Sequence, residues 1–184
     1  DLIYKTMSDK WRSDKKTDKE IRELWNEYVP EHLLPRLYGF ELMMAPYSIA
    51  HMKIGLKLRE TNYSFISSER AQIYLTNTLE EPEDFSDYFK TMAPALAHEA
   101  DAANRVKRHT PITVVIGNPP YSGISNNMNP WIDGLLKGRL PNGTKVKSYY
   151  EVDGKPLGEK KLWLKDDYVK FVRYGEYNID LGGT

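Results

Sequence analysis

The apolar positions change period several times along the chain, and each change marks an element. Thr17-Asp18-Lys19-Glu20 has the form of a capping box, with Thr17 as N-cap and Glu20 able to reach back. Ile21, Leu24, Trp25 and Tyr28 follow at helical spacing, which predicts a helix over about 18–28. Pro30 and Pro35 punctuate the next stretch, after which residues 37–42 read as a short strand. Residues 45–59 place Ile49, Met52 and Leu56 at helical spacing with Pro46 in the first turn, so they predict a crossover helix. Residues 71–77 form a second β-rich run. Residues 79–87 are acidic and broken by proline, as in a surface loop, and the alanine-rich stretch 95–108 predicts another helix.

Pro111-Ile112-Thr113-Val114-Val115-Ile116-Gly117 is the most apolar β-branched run in the chain. A strand covered on both faces has that composition, so it predicts the centre of the sheet. Residues 122–160 are rich in Gly, Pro, Asn and Lys, with weak periodicity. They read as one long loop with a small hairpin around Asn142-Gly143, a length uncommon unless functional. Residues 162–179 close the chain as an amphipathic helix, with Leu164, Tyr168, Phe171, Val172 and Ile179 on or near one face. Strands alternating with helices predict an α/β fold with parallel pairing.

Composition narrows the class. At 184 residues the chain suits one globular domain or part of one, and 40% hydrophobic with 28% charged residues fits a soluble folded protein. Lys plus Arg and Asp plus Glu number 26 each, so a nucleic-acid surface must come from local clustering. Absence of cysteine excludes disulfides and thiolate zinc sites; it favours a reducing, cytoplasmic setting over a cysteine-free secreted protein. No apolar run approaches the roughly 18 residues of a membrane span, and Asp1-Leu2-Ile3-Tyr4-Lys5 lacks a signal pattern. The first residue is not Met, which leads us to expect an excised or processed segment.

The chemistry-bearing motif is Asn118-Pro119-Pro120-Tyr121, directly after the apolar run, where open α/β sheets place ligands beyond their strand ends. An aromatic amine is a poor nucleophile because its lone pair is delocalised into the ring. Activating it requires acceptors for its hydrogens while the nitrogen pyramidalises. The Asn118 side-chain oxygen supplies one acceptor, and the Pro119 carbonyl can supply the second. The Pro-Pro step, Pro119-Pro120, lacks N–H groups and fixes φ. Tyr121 offers a face on which an extruded base can stack, worth roughly 1–3 kcal/mol per base. The competing reading is a proline-rich turn with Tyr121 packed on the core.

Several further blocks accompany the motif in order: residues 33–42, 47–51, 73–79, 115–123 and 166–171. Together with Asn118-Pro119-Pro120-Tyr121 they make the chain resemble the gamma-type N6-adenine DNA methyltransferases. Within these it is most similar to the methylase part of large single-chain restriction-modification enzymes. The resemblance implies a partial Rossmann-like, S-adenosylmethionine-dependent methyltransferase domain that flips adenine out of DNA. Asn118, Pro119, Pro120 and Tyr121 then match the residues that meet the target base. Glu41 matches the acid that binds the cofactor ribose hydroxyls. Asn77 matches the polar residue that meets the cofactor adenine, and Leu42 and Leu79 match apolar groups against its rings. For Asn77 an Asx-type turn, and for Leu42 and Leu79 a plain core role, are the competing readings.

The family's glycine-rich cofactor loop has no counterpart here, and residues 1–8 resemble the helix that follows it. The expectation is therefore a fragment of one catalytic domain spanning 1–184, without the family's first and fifth strands, and on its own inactive and poor at binding cofactor. The second and third strands should pair; the fourth should pair non-natively, be completed by another copy, or move into the vacancy. Methylation of a protein glutamine or an RNA adenine, and a non-catalytic scaffold or DNA-contact module, stand as alternatives. His32, His51, His98 and His109 lack mutual metal-ligand spacing, so no metal is expected. Arg105, Lys107, Arg108, Lys145, Lys147, Lys160 and Lys161 are candidates for phosphate contact, and Trp131, Tyr149, Tyr150 and Trp163 for base stacking.

Overall fold

Residues 1–65, 69–82, 93–121, 125, 127–158 and 161–182 are described by a computed structural model. The chain is mixed α/β and divides into two compact units, Asp1–Thr76 and Asn77–Thr184. In the first unit, helix α1 (Leu2–Ser13) precedes α2 (Asp18–Tyr28). The capping box forms as read: the Glu20 N–H donates to Thr17 Oγ1 at 3.3 Å, and the Thr17 N–H donates to Glu20 Oε2 at 2.8 Å. That N–H, together with the Thr17 hydroxyl and the Lys16 ammonium, holds the Glu20 carboxyl down at about 2. Pro30 has no N–H to continue the ladder of α2, and the chain widens into a π-turn over Val29–Leu33.

Strand β1 (Tyr38–Glu41) pairs in parallel with β2 (Gln72–Leu75), Tyr38 opposite Gln72 and Glu41 opposite Leu75. Helix α3 (Met44–Glu60) makes the crossover. The pairing of these two strands is as expected. The face of α3 is not: Ile49, Met52 and Leu56 are exposed, and the helix buries Leu58 instead. A two-stranded sheet is too narrow to cover a whole apolar stripe. The core of this unit is aromatic, with Trp25, Val29, Leu34, Leu58 and Tyr63 buried together and Tyr4, Trp11 and Tyr28 packed around them.

The second unit carries helices α4 (Pro94–His109), α5 (Pro130–Lys137) and α6 (Asp167–Gly182), and a small antiparallel hairpin of β3 (Glu151–Val152) and β4 (Lys155–Pro156). Reading 122–160 as one long loop with a small hairpin missed α5. Its start is signalled by Asn129, whose Oδ1 accepts the Ile132 N–H at 3.0 Å, followed by Pro130 in the first turn. Its end is Gly138, at φ 86°, where an added Cβ would stand 2.7 Å from the Ser148 Cβ. The turn expected at Asn142-Gly143 is present, closed by an antiparallel bridge between Arg139 and Lys145. Leu79, Trp131, Ile132, Leu135, Leu140 and Tyr174 form this unit's core.

Two expectations for the second unit are corrected. Helix α6 buries Asp167, Lys170, Arg173, Tyr174 and Gly175, whereas Val172 and Ile179, assigned to its apolar face, are exposed. Polar groups with buried partners outcompeted the apolar stripe. The 111–117 run is not a sheet centre: among the described residues it joins no ladder, and Val114 is 70% and Ile116 93% exposed. β-branched composition favours a strand only where neighbours exchange its hydrogen bonds. Within the unit it lies against one side of α6. A Cβ on Gly182 would lie 2.4 Å from the Ile112 carbonyl oxygen, and one on Gly175 would lie 3.5 Å from Val115 Cγ1. Position 182 therefore requires glycine for the close backbone approach. The expected acidic loop at 79–87 lies mostly outside the described residues.

Candidate functional site

Asn118 to Tyr121 continue the segment that joins no ladder among the described residues, and all but the half-buried Pro119 are exposed. Among the described residues the Asn118 carboxamide has no hydrogen-bond partner, so its oxygen and amide group face solvent. Tyr121, 78% exposed, stacks on Tyr168 of α6 with ring centroids 5.0 Å apart and an interplanar angle of 18°. The competing reading, Tyr121 packed into the core, does not describe this ring.

Tyr168 itself sits on a firmly held turn of helix. On either side of it Asp167 and Lys170 are buried and bonded to Ser125 and Asn127. The Ser125 hydroxyl donates to Asp167 Oδ1, and the Lys170 ammonium donates to Ser125 Oγ. Lys170 also donates to the Asn127 carbonyl at 2.6 Å and lies 3.7 Å from Asp167, and the Asn127 N–H donates to Ser125 Oγ at 3.0 Å. The Ser125 oxygen thus donates once and accepts twice, which satisfies it and removes it as a nucleophile. Burial pulls the Lys170 ammonium below the ordinary lysine range, against the opposing pull of Asp167. Sequence reasoning placed Tyr168 on an apolar face and passed over Ser125, Asn127 and Lys170. The run Asp166-Asp167-Tyr168-Val169-Lys170 carried the signal, since acids before and a base after an aromatic at a helix start suit a pinned terminus.

The residues matched to a cofactor divide between the units. In the first, Glu41 ends β1 half-buried, its Oε1 accepting the Met43 N–H at 2.9 Å, and Leu42 beside it is exposed. In the second, Asn77 builds an Asx turn: Oδ1 accepts the Leu79 N–H at 3.1 Å, while Nδ2 donates to Glu80 and to Asn127, each at 3.0 Å. Leu79 is fully buried in the core. The Asn77 side chain is thus taken up by the turn and that of Leu79 by the core.

The remaining candidates are mostly consumed by structure. Lys107 donates to the carbonyls of Asn77 and Glu80, Arg108 to that of Pro82, and Lys147 pairs with Glu176. Trp131 is core, and the Arg173 guanidinium carbon stands 5.5 Å from the centroid of the Tyr149 ring. Tyr150 is partly buried, whereas Trp163 is 72% exposed and open to a ligand. Lys160 lies outside the described residues. Among the described residues no three His, Asp or Glu side chains gather as a metal site, and no helix is long and apolar enough to cross a membrane.

Burial of Lys107 has a consequence for stability. Loss of hydration brings its ammonium down to about 8 from 10.5, so between those values the unfolded chain binds more protons than the folded one. Raising the pH through this window stabilises the second unit, by up to about 3 kcal/mol. Above pH 10 the sign reverses, because burial lifts the Tyr174 phenol from 10.0 to about 12 and the unfolded phenol ionises first. Urea midpoints should climb between about pH 8 and pH 10 and then fall. Lys107→Met should flatten the climb; an unaltered climb would assign it to another group.

Compared with protein-family models, with curated proteins and with solved structures, the chain gives no match in any of the three.

Proposed function

We propose that this chain is part of an S-adenosylmethionine-dependent N6-adenine DNA methyltransferase with a Rossmann-like catalytic domain, and that Asn118 to Tyr121 receive the target base. The observation that carries the reading is the presentation of the motif. An exposed carboxamide without a described partner stands three residues before an exposed aromatic ring, on a segment whose two prolines stiffen it. The order of the accompanying sequence blocks adds to it. The Asn118 oxygen and the Pro119 carbonyl accept the two amine hydrogens and draw the lone pair out of conjugation with the ring. Tyr121 holds the base by its face. S-adenosylmethionine, when bound, supplies an electrophilic methyl on a sulfonium. The proton leaves N6 after the nitrogen has gained its fourth substituent, so no strong base is required of the chain.

Transfer of labelled methyl groups to DNA by the full-length protein tests this, with Asn118→Ala as the variant. Loss of one preorganised hydrogen-bonding group at a reacting centre costs about 10²–10³ in rate, and calorimetry should find cofactor affinity unchanged. Equal methylation by wild type and Asn118→Ala overturns the assignment. One observation favours a second reading, a non-catalytic DNA-contact module: Asn77 and Leu79 are committed to a turn and to the core. That reading predicts DNA binding by the full-length protein without cofactor binding or methylation.

A further inference from the structure

We infer that Tyr168 is a positioning residue for base stacking, which orients the Tyr121 ring and leaves it one open face for a purine. The inference rests on the reading of Asn118 to Tyr121 as the base-receiving segment, and names a residue that the motif itself does not contain.

Three observations combine. Tyr121 lies on a segment without ladder partners among the described residues, so its backbone does little to fix its ring. The ring's described aromatic contact is Tyr168, 5.0 Å away and nearly parallel, within the range of favourable offset stacks. Tyr168 is in turn fixed from below, because Asp167 and Lys170 are buried and tied to Ser125 and Asn127, while its own N–H donates to Asp166 Oδ1 at 2.8 Å. Support of this kind is what holds a binding group in its working orientation. A rigid helix turn therefore presents a ring that aligns a second ring on a weakly held segment.

Geometry also decides where a base can go. Rings this close and this parallel leave no room for a base between them, so the purine must take the far face of Tyr121. Tyr168 then acts through Tyr121 without touching the base. Because the contact is ring on ring, phenylalanine at 168 should serve as well as tyrosine.

The experiment uses a short single-stranded oligonucleotide carrying 2-aminopurine, whose emission is quenched on stacking, titrated with the full-length protein at low salt. Wild type should quench the probe, and Tyr121→Ala should remove most of the quench. Tyr168→Ala should weaken the quenched complex about 2–10-fold, the value of an aromatic pair, with an unchanged Tm and helix content. Tyr168→Phe should restore it to within about twofold of wild type on the same scale. A general structural role for Tyr168 would lower the Tm and spare the quench. If Tyr121→Ala loses the quench and Tyr168→Ala keeps it, the inference is wrong and the base-receiving role of Tyr121 stands. If wild type does not quench, or Tyr121→Ala quenches fully, the inference falls with the base-receiving role. Failure of the methyltransferase reading shows separately, as indifference of methylation to Asn118→Ala.

Discussion

Trp25→Ala will cost the first unit about 3–5 kcal/mol, a large share of what a domain of this size has. Trp25 is 1% exposed, stacks on Tyr28 at 5.7 Å and receives the edge of Tyr4 at 5.0 Å. Its Nε1 donates to Thr61 Oγ1 at 2.8 Å, joining the second helix to the end of the third. Truncation to alanine removes the ring, both aromatic pairs and the bond. Trp25→Phe keeps much of the packing and loses the bond, so it should cost about 1–2 kcal/mol. Urea unfolding followed by circular dichroism checks both. A Trp25→Ala loss under about 1 kcal/mol would mean that the aromatic cluster collapses around the cavity.

Arg173→Ala should cost the second unit a comparable amount, about 3–5 kcal/mol, by a different route. The side chain is 1% exposed and every donor nitrogen is used: Nε to the Leu135 carbonyl at 3.2 Å, Nη2 to that of Lys147 at 2.9 Å and Nη1 to Glu176 Oε2 at 3.1 Å. Removing it strands two carbonyls and one carboxylate oxygen and takes the cation from over Tyr149. Arg173→Lys should recover less than half of the loss, since one ammonium cannot reproduce a planar fork with three separate partners. Full recovery by lysine would show that charge alone matters there.

Local rules were legible in the sequence to the extent that they were local. Thr17 and Glu20 announced α2 because both halves of the capping box lie within four residues. The two paired strands showed in their short β-rich runs for the same reason. What depended on distant partners did not show. Ile112 to Ile116 have the composition of a buried strand, yet composition does not supply the neighbour that buries one. The inward face of α6 is polar because Ser125 and Asn127, some forty residues away, meet Asp167 and Lys170. Its terminal aromatic was legible as an amphipathic position and not as the mate of Tyr121. Helix α5 was a different kind of miss, since Asn129, Pro130 and Gly138 carried its stop and start signals in plain order. For the candidate site, the motif followed from the residues, but its setting did not: it was expected at the end of a buried strand and stands on an exposed segment. The commitment of Asn77 to a turn was one of two readings its chemistry allowed, and only the positions of Glu80 and Asn127 separate them.

The bare 112–116 segment also governs how the folded protein behaves when concentrated. Five uncharged residues, four of them Ile or Val, join no ladder among the described residues, so self-association at high concentration is expected from the native state without prior unfolding. The prolines act as gatekeepers: Pro111 on one side and Pro119 with Pro120 on the other confine any cross-β zipper to at most the seven residues between them, 112–118. The same rigid pair that stiffens the motif thus keeps the adhesive stretch from spreading beyond Asn118.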